Sequence, residues 1–246
     1  MTAPVLALEF PGTGTGDSTD FAFLAEAVGR HCLRRVDPLV FHTGPPRSLA
    51  DQARELASET PRLVLAHCSA AALGLRVAGL SGVPLILVDP DPVAEDYLRQ
   101  EFAVLFRRLG HDPDPVLDLA GFSTGEELTG YLESALFGVA DTLAEEYGGD
   151  DEARVLARDL LGRYRAWLRF LGASTEACPA YPDVRVTIVA GKPLPALTTL
   201  LVDPGSALIH HVPVEPGGTL DSPEIRDLLC TLASGGRPAE QFTGEQ

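Results

Sequence analysis

The chain has 246 residues, 45% of them hydrophobic, enough for one large globular domain or a domain carrying an inserted subdomain. Its formal net charge of −16 would be repelled by nucleic acid and by an anionic membrane, so neither is expected as a partner. Four widely spaced cysteines (Cys32, Cys68, Cys178 and Cys230) form no CxxC pair and no Cys/His metal spacing, which argues against a disulfide framework and a zinc site. The opening "MTAPVLALEFPG" lacks the basic stretch and long apolar core of a signal peptide, and no apolar run reaches membrane-spanning length, so a cytoplasmic location is expected.

In chain order, "PVLALEF" reads as a strand, "PGTGTGDSTD" as a glycine-rich loop, and "DFAFLAEAVGR" as a helix with Phe21, Leu24, Ala25 and Val28 on one face. "VDPLVFHT" reads as a second strand and "SLADQARELASE" as a helix opened by Ser48. "RLVLAH" reads as a third strand, buried because it is continuously apolar. "SAAALGLRVAGL" has the small residues that let a helix approach a sheet, and "VPLILVDPDP" is a buried strand stopped by prolines. Such alternation predicts an α/β fold, a mainly parallel sheet with helices on both faces. From 95 to 180 the pattern is helical, with apolar stripes and many charges, so this block is expected as an insertion. "DVRVTIVAG" and "SALIHHVPV" then resume the sheet, and "SPEIRDLLCTLAS" closes it with a helix begun by Ser222 and Pro223. Residues 235–246 are polar and read as a flexible tail.

A parallel α/β sheet places its chemistry where strands end. Three strand ends are informative: "FPGTGTG", whose backbone amides suit an anion or oxyanion; "LAHCSAA", with Cys68; and "LVDPDP", with Asp89 and Asp91.

"LVLAHCSAAALG" resembles the G-H-S-x-G-G nucleophile elbow of the α/β-hydrolase thioesterases of polyketide and nonribosomal peptide synthesis. Ala66, His67, Cys68, Ser69, Ala70 and Ala71 stand in the six places. The loop "LEFPGTGTGDSTDFAFLAEAV" is similar to that family's first strand and oxyanion loop, "VPLILVDPDP" to the strand ending in its catalytic aspartate, and the helical block to its lid. The resemblance thus implies an α/β-hydrolase core in two parts, 1–94 and 181–234, with a helical lid at 95–180. It implies Cys68 as nucleophile, Asp89 as first choice for the acid with Asp91 second, and an oxyanion hole from the amides of Ser69 and of Gly12 or Thr13. It further implies that the substrate is an acyl chain carried on phosphopantetheine by an acyl or peptidyl carrier protein. No other cofactor is called for.

The family's base histidine is missing. Its place falls in "HHVPVEPGGTL" near Gly217, and the alternatives are His67 beside the nucleophile and His211, which would need a bulged or shifted loop to approach. His31, His42 and His111 have no motif support. A cysteine without a histidine to activate water should form an acyl-enzyme that hydrolyses slowly, so acyl transfer or cyclising release is expected. Two alternatives stand beside it: a degenerate thioesterase-fold protein that binds an acyl chain or carrier without turnover, and a hydrolytic editing type II thioesterase. In the helical block, the apolar residues Leu98, Phe102, Leu105, Phe106, Tyr131, Leu136, Phe137, Leu160, Leu161, Trp167 and Phe170 read as the block's own core before they read as an acyl channel. Arg99, Arg107, Arg108, Arg163, Arg165 and Arg169 are candidates to meet a pantetheine phosphate or an acidic carrier.

Overall fold

The computed structural model describes residues 3–10, 21–45, 47–91, 93–117, 125–146, 148–149, 151–191, 207–212 and 219–236. The elements in chain order are β1 (Val5–Leu8), α1 (Leu24–Val28), β2 (Leu33–Val36), α2 (Leu49–Ala57), β3 (Leu63–His67), α3 (Ala71–Ser81) and β4 (Leu85–Val88). They continue as α4 (Glu95–Arg108), α5 (Asp114–Leu117), α6 (Gly125–Glu146), α7 (Asp151–Ser174), β5 (Val186–Ala190), β6 (Leu208–His211) and α8 (Pro223–Ala233).

The strand expected over "VDPLVFHT" is displaced. β2 is "LRRV", and Pro38–His42 forms a 3₁₀ helix. Proline has no N–H to give a ladder and its fixed φ suits a helical first turn, so the strand stops at Val36. β2 lies at the sheet edge with Arg34 and Arg35 exposed, which hides it from a search for apolar runs.

The six strands form one sheet in the order β2-β1-β3-β4-β5-β6, and all five pairings are parallel. The fold class is therefore the α/β class expected from the alternating pattern. One face, carrying Val5, Ala7, Leu63, Leu65, Ile86 and Val88, packs with Leu24 of α1 and Ile225, Leu228 and Leu229 of α8. The opposite face receives α3. A Cβ at Gly74 would stand 2.6 Å from Ala66 Cβ and 3.3 Å from Leu85 Cδ1, so only glycine lets this helix lie so close. α8 starts where Ser222 Oγ accepts the Ile225 N–H at 3.3 Å, with Pro223 as its first residue. Because the chain winds from β1 to one edge and from β3 to the other, the topological switch point lies between the ends of these two strands. In such sheets that crevice is where ligands bind.

Residues 1–38, 49–92 and 177–246 make up this sheet unit; 39–48 and 93–176 make a second, helical unit. Within the helical unit, Leu98, Phe102, Leu136, Leu161 and Phe170 are buried, so these members of the apolar stripes belong to its own core. Gly172 of α7 lies against Thr129 of α6, and Gly125 against Thr175, which sets the two long helices antiparallel and close. Arg169 grips Glu133 through both carboxylate oxygens (3.0 and 2.6 Å), and Arg165 adds a contact at 3.2 Å. These two arginines are thus committed inside the unit. Two cavities, of about 660 and 530 Å³, flank that ionic cluster. No helix among the described residues is long and apolar enough to cross a membrane.

Candidate active site

The apolar run of β3 ends at His67, still extended at φ −105° and ψ 137°. The chain then reverses within one residue: Cys68 has φ +54°, and a 3₁₀ turn over Cys68–Ala70 leads directly into α3. A left-handed backbone costs an ordinary L-residue about 1–2 kcal/mol, so the surroundings must hold it. They do so from two sides. Ala66, Ala70 and Ala71 are buried where α3 closes on the sheet, and the Asp91 N–H donates to the Cys68 carbonyl at 3.3 Å. The alanines do not separate helix and strand, because Gly74 leaves room for the Ala66 methyl.

The thiol of Cys68 is half-buried and donates to Asp91 Oδ2 at 3.1 Å, with the hydroxyl of buried Ser69 at 3.7 Å. Asp89, two residues earlier, is placed differently. It too has a left-handed backbone, at φ +42°, and its own N–H bonds to the Val189 carbonyl at 3.0 Å. The Asp89 carboxylate is buried and fully engaged: Oδ1 accepts the Gly191 N–H at 2.8 Å and Oδ2 accepts the Thr219 hydroxyl. The structure therefore brings Cys68, Ser69 and Asp91 together and ties Asp89 to the end of β5 and to Thr219, just ahead of α8.

His67 sets its ring edge-on to Phe21, with centroids 6.5 Å apart. β6 pairs regularly with β5, Val189 opposite His210 and Ala190 opposite His211, so no bulge intervenes in the ladder; His211 is exposed and His210 buried. Burial pushes the His210 imidazole below its usual pKa. Gly12, Thr13 and Gly217 lie outside the described residues. Two other thiols sit in different surroundings. Burial pushes the Cys178 thiol up against the opposing pull of Arg76, and burial with Asp227 and Glu26 pushes Cys230 up, which disfavours the thiolate in both.

Two residues not singled out from sequence matter here. Thr219 is a hydrogen-bond partner of Asp89, and it is the one side chain in "PGGTL" with a hydroxyl to offer. Glu9, at the end of β1, is buried; its Oε2 accepts the Phe21 N–H at 2.6 Å and its Oε1 meets Arg35 Nε at 2.5 Å. It thereby fixes the residues on either side of the glycine-rich loop. Among the described residues, no group of His, Cys, Asp and Glu could hold a metal ion.

No family model and no curated protein matches the chain. Likenesses are found among solved structures. The NocB thioesterase domain, in covalent complex with a fluorophosphonate nocardicin G analog, is 13% identical over 95% of this chain and 90% of its own, with a TM-score of 0.46. The RedJ thioesterase of the prodiginine pathway of Streptomyces coelicolor is 18% identical over 95% and 89%, with a TM-score of 0.46. The Vlm2 thioesterase domain, bound with a dodecadepsipeptide, is 13% identical over 95% and 96%, with a TM-score of 0.48.

Proposed function

We propose that this protein is a thioesterase-like acyltransferase, which takes an acyl chain from a carrier-protein thioester onto Cys68 and releases it by transfer or cyclisation. The observation that carries the reading is the turn at Cys68, a thiol presented at φ +54° between a buried strand and a helix and hydrogen-bonded to a carboxylate. A strained strand-to-helix corner holding a nucleophile is an arrangement suited to acyl transfer.

In the first step Sγ bonds to the thioester carbonyl carbon while the thiol proton passes to Asp91 Oδ2. The oxyanion develops at the start of α3, where the Ser69 amide serves as a donor; a well-aimed donor is worth about 3–4 kcal/mol. Collapse breaks the bond to the pantetheine sulfur, which leaves with the proton from Asp91. One thioester has become another, so the acyl group stays activated. Ordinary hydrolysis is disfavoured because Asp89, which the family resemblance assigns to orienting a histidine, is engaged by Thr219 and Gly191 instead.

That same closed Asp89 pairing favours a second reading, a protein that binds an acyl chain or its carrier without turnover. Intact-mass measurement after incubation with an acyl-pantetheine thioester separates the two. A covalent gain equal to the acyl group, absent in Cys68→Ala, is the expected result. Equal acyl binding by both proteins, with no covalent gain, supports the binding module and sinks the transferase.

A further inference from the structure

We infer that Asp91 is the proton acceptor of the deacylation step, and that it selects a weakly basic amine, such as the α-amino group of a peptide or an amino-acid amide, over water or an alcohol. This rests on Cys68 being the acylated residue. Asp91 Oδ2 lies 3.1 Å from Sγ, and in the resting protein it accepts the hydrogen bond of the thiol. Once the sulfur is acylated that proton is gone, so Oδ2 faces the reacting thioester having lost this donor. An incoming N–H then supplies a new one.

The chemistry separates the acceptors. Water and alcohols must lose a proton as they attack, and a carboxylate is a weaker base for this than an imidazole, with ordinary conjugate-acid pKa values of about 3.9 against 6.5. A neutral amine attacks with its lone pair first. The C–N bond forms, and the nitrogen of the tetrahedral intermediate is then a cationic acid whose proton a carboxylate can take. Asp91 passes that proton to Sγ as the C–S bond breaks, so the products are an amide and the free Cys68 thiol. The amine must arrive neutral, because a carboxylate does not deprotonate an alkylammonium. An α-amino group, with a pKa of about 7.7–8.0, meets that condition near neutrality, whereas a lysine-type amine near 10.4 does not.

The test starts from isolated acyl-enzyme, made by octanoyl-pantetheine, and follows its decay by intact mass in buffer alone, with glycinamide, or with ethanol at the same concentration. Glycinamide is expected to speed the decay at least tenfold and give octanoyl-glycinamide, while ethanol does little. In Asp91→Asn, acylated by longer incubation because that step also passes its proton through Asp91, the glycinamide rate should fall roughly 10²-fold, within the usual range for a lost proton acceptor, and by more than the decay in buffer. Asp91→Ser, smaller and uncharged, should behave likewise, and circular dichroism checks that both are folded. Equal decay in water and glycinamide, or an unchanged glycinamide rate in both variants, overturns the role of Asp91 and leaves the Cys68 reading standing. Failure of the wild-type protein to form any adduct overturns both.

Discussion

Past β4 the chain carries Asp89 and Asp91 with Pro90 between them, and their surroundings divide the carboxyl edge of the sheet into two regions. At the end of β5 and the turn into α8, Asp89 is 3% exposed and both its oxygens are taken by groups that do not react, a backbone amide and a threonine hydroxyl. At the β3 and β4 ends, Asp91 accepts its proton from a thiol that is only half-buried. The two carboxylates share residue type and strand end, so their difference lies in the donor. A buried carboxylate satisfied by inert donors ties strands together, whereas one satisfied by a nucleophile holds a proton that can move.

The largest effect is expected from exchanging the nucleophile atom in the reactive region. Cys68→Ser keeps the shape of the turn but replaces a thiol by a hydroxyl, which gives up its proton far less readily to the Asp91 carboxylate. Release of pantetheine thiol should fall at least about 10²-fold. Full activity in the serine variant would mean that a stronger base reaches residue 68 than the described residues supply. The same region breaks mechanically at Gly74, whose added Cβ would meet Ala66 at 2.6 Å. Gly74→Val should cost about 1–3 kcal/mol in urea unfolding, as overpacking does, and should slow acylation because α3 moves away from Cys68. In the inert region, Thr219→Val keeps the side-chain volume and removes the hydroxyl from Asp89. Stability should fall by about 1–3 kcal/mol while the Cys68 adduct still forms. Loss of the adduct with stability intact would put Thr219 in the reactive region instead.

These expectations show where sequence is readable. "LVLA" and "LILV" are continuous apolar runs because β3 and β4 are buried on both faces, so the strands and the polar residues closing them could be found by pattern. β2 could not, since an edge strand tolerates Arg34 and Arg35 in its ladder. Cys68, Asp89 and Asp91 are visible as candidates for the same reason that strand ends are. Which aspartate meets the thiol is not, because it depends on Asp89 adopting φ +42°, a conformation that composition does not announce. The bond from the Asp91 N–H to the Cys68 carbonyl then joins the two strand ends. The Asp89–Thr219 pair spans 130 positions, far beyond any local spacing rule.

The smallest effect concerns His210, which gives the inert region its pH dependence. It sits opposite Val189 on the face that also buries Val212, is 1% exposed, and finds no hydrogen-bond partner at either ring nitrogen among the described residues. Burial lowers its pKa, so the native imidazole stays neutral where the unfolded chain has begun to bind a proton. Below about pH 6.5 the unfolded state therefore holds more protons, and stability from this site, fully present above that pH, is lost as pH falls towards the lower native value. His210→Leu removes both the titration and the unpartnered nitrogens while keeping an apolar filling. The variant should match or exceed the wild type at pH 7.5, and its advantage in urea midpoint should widen by pH 5.5. If the two proteins lose stability in parallel over that interval, the acid sensitivity belongs to other groups, and the inert region would be inert in this respect as well.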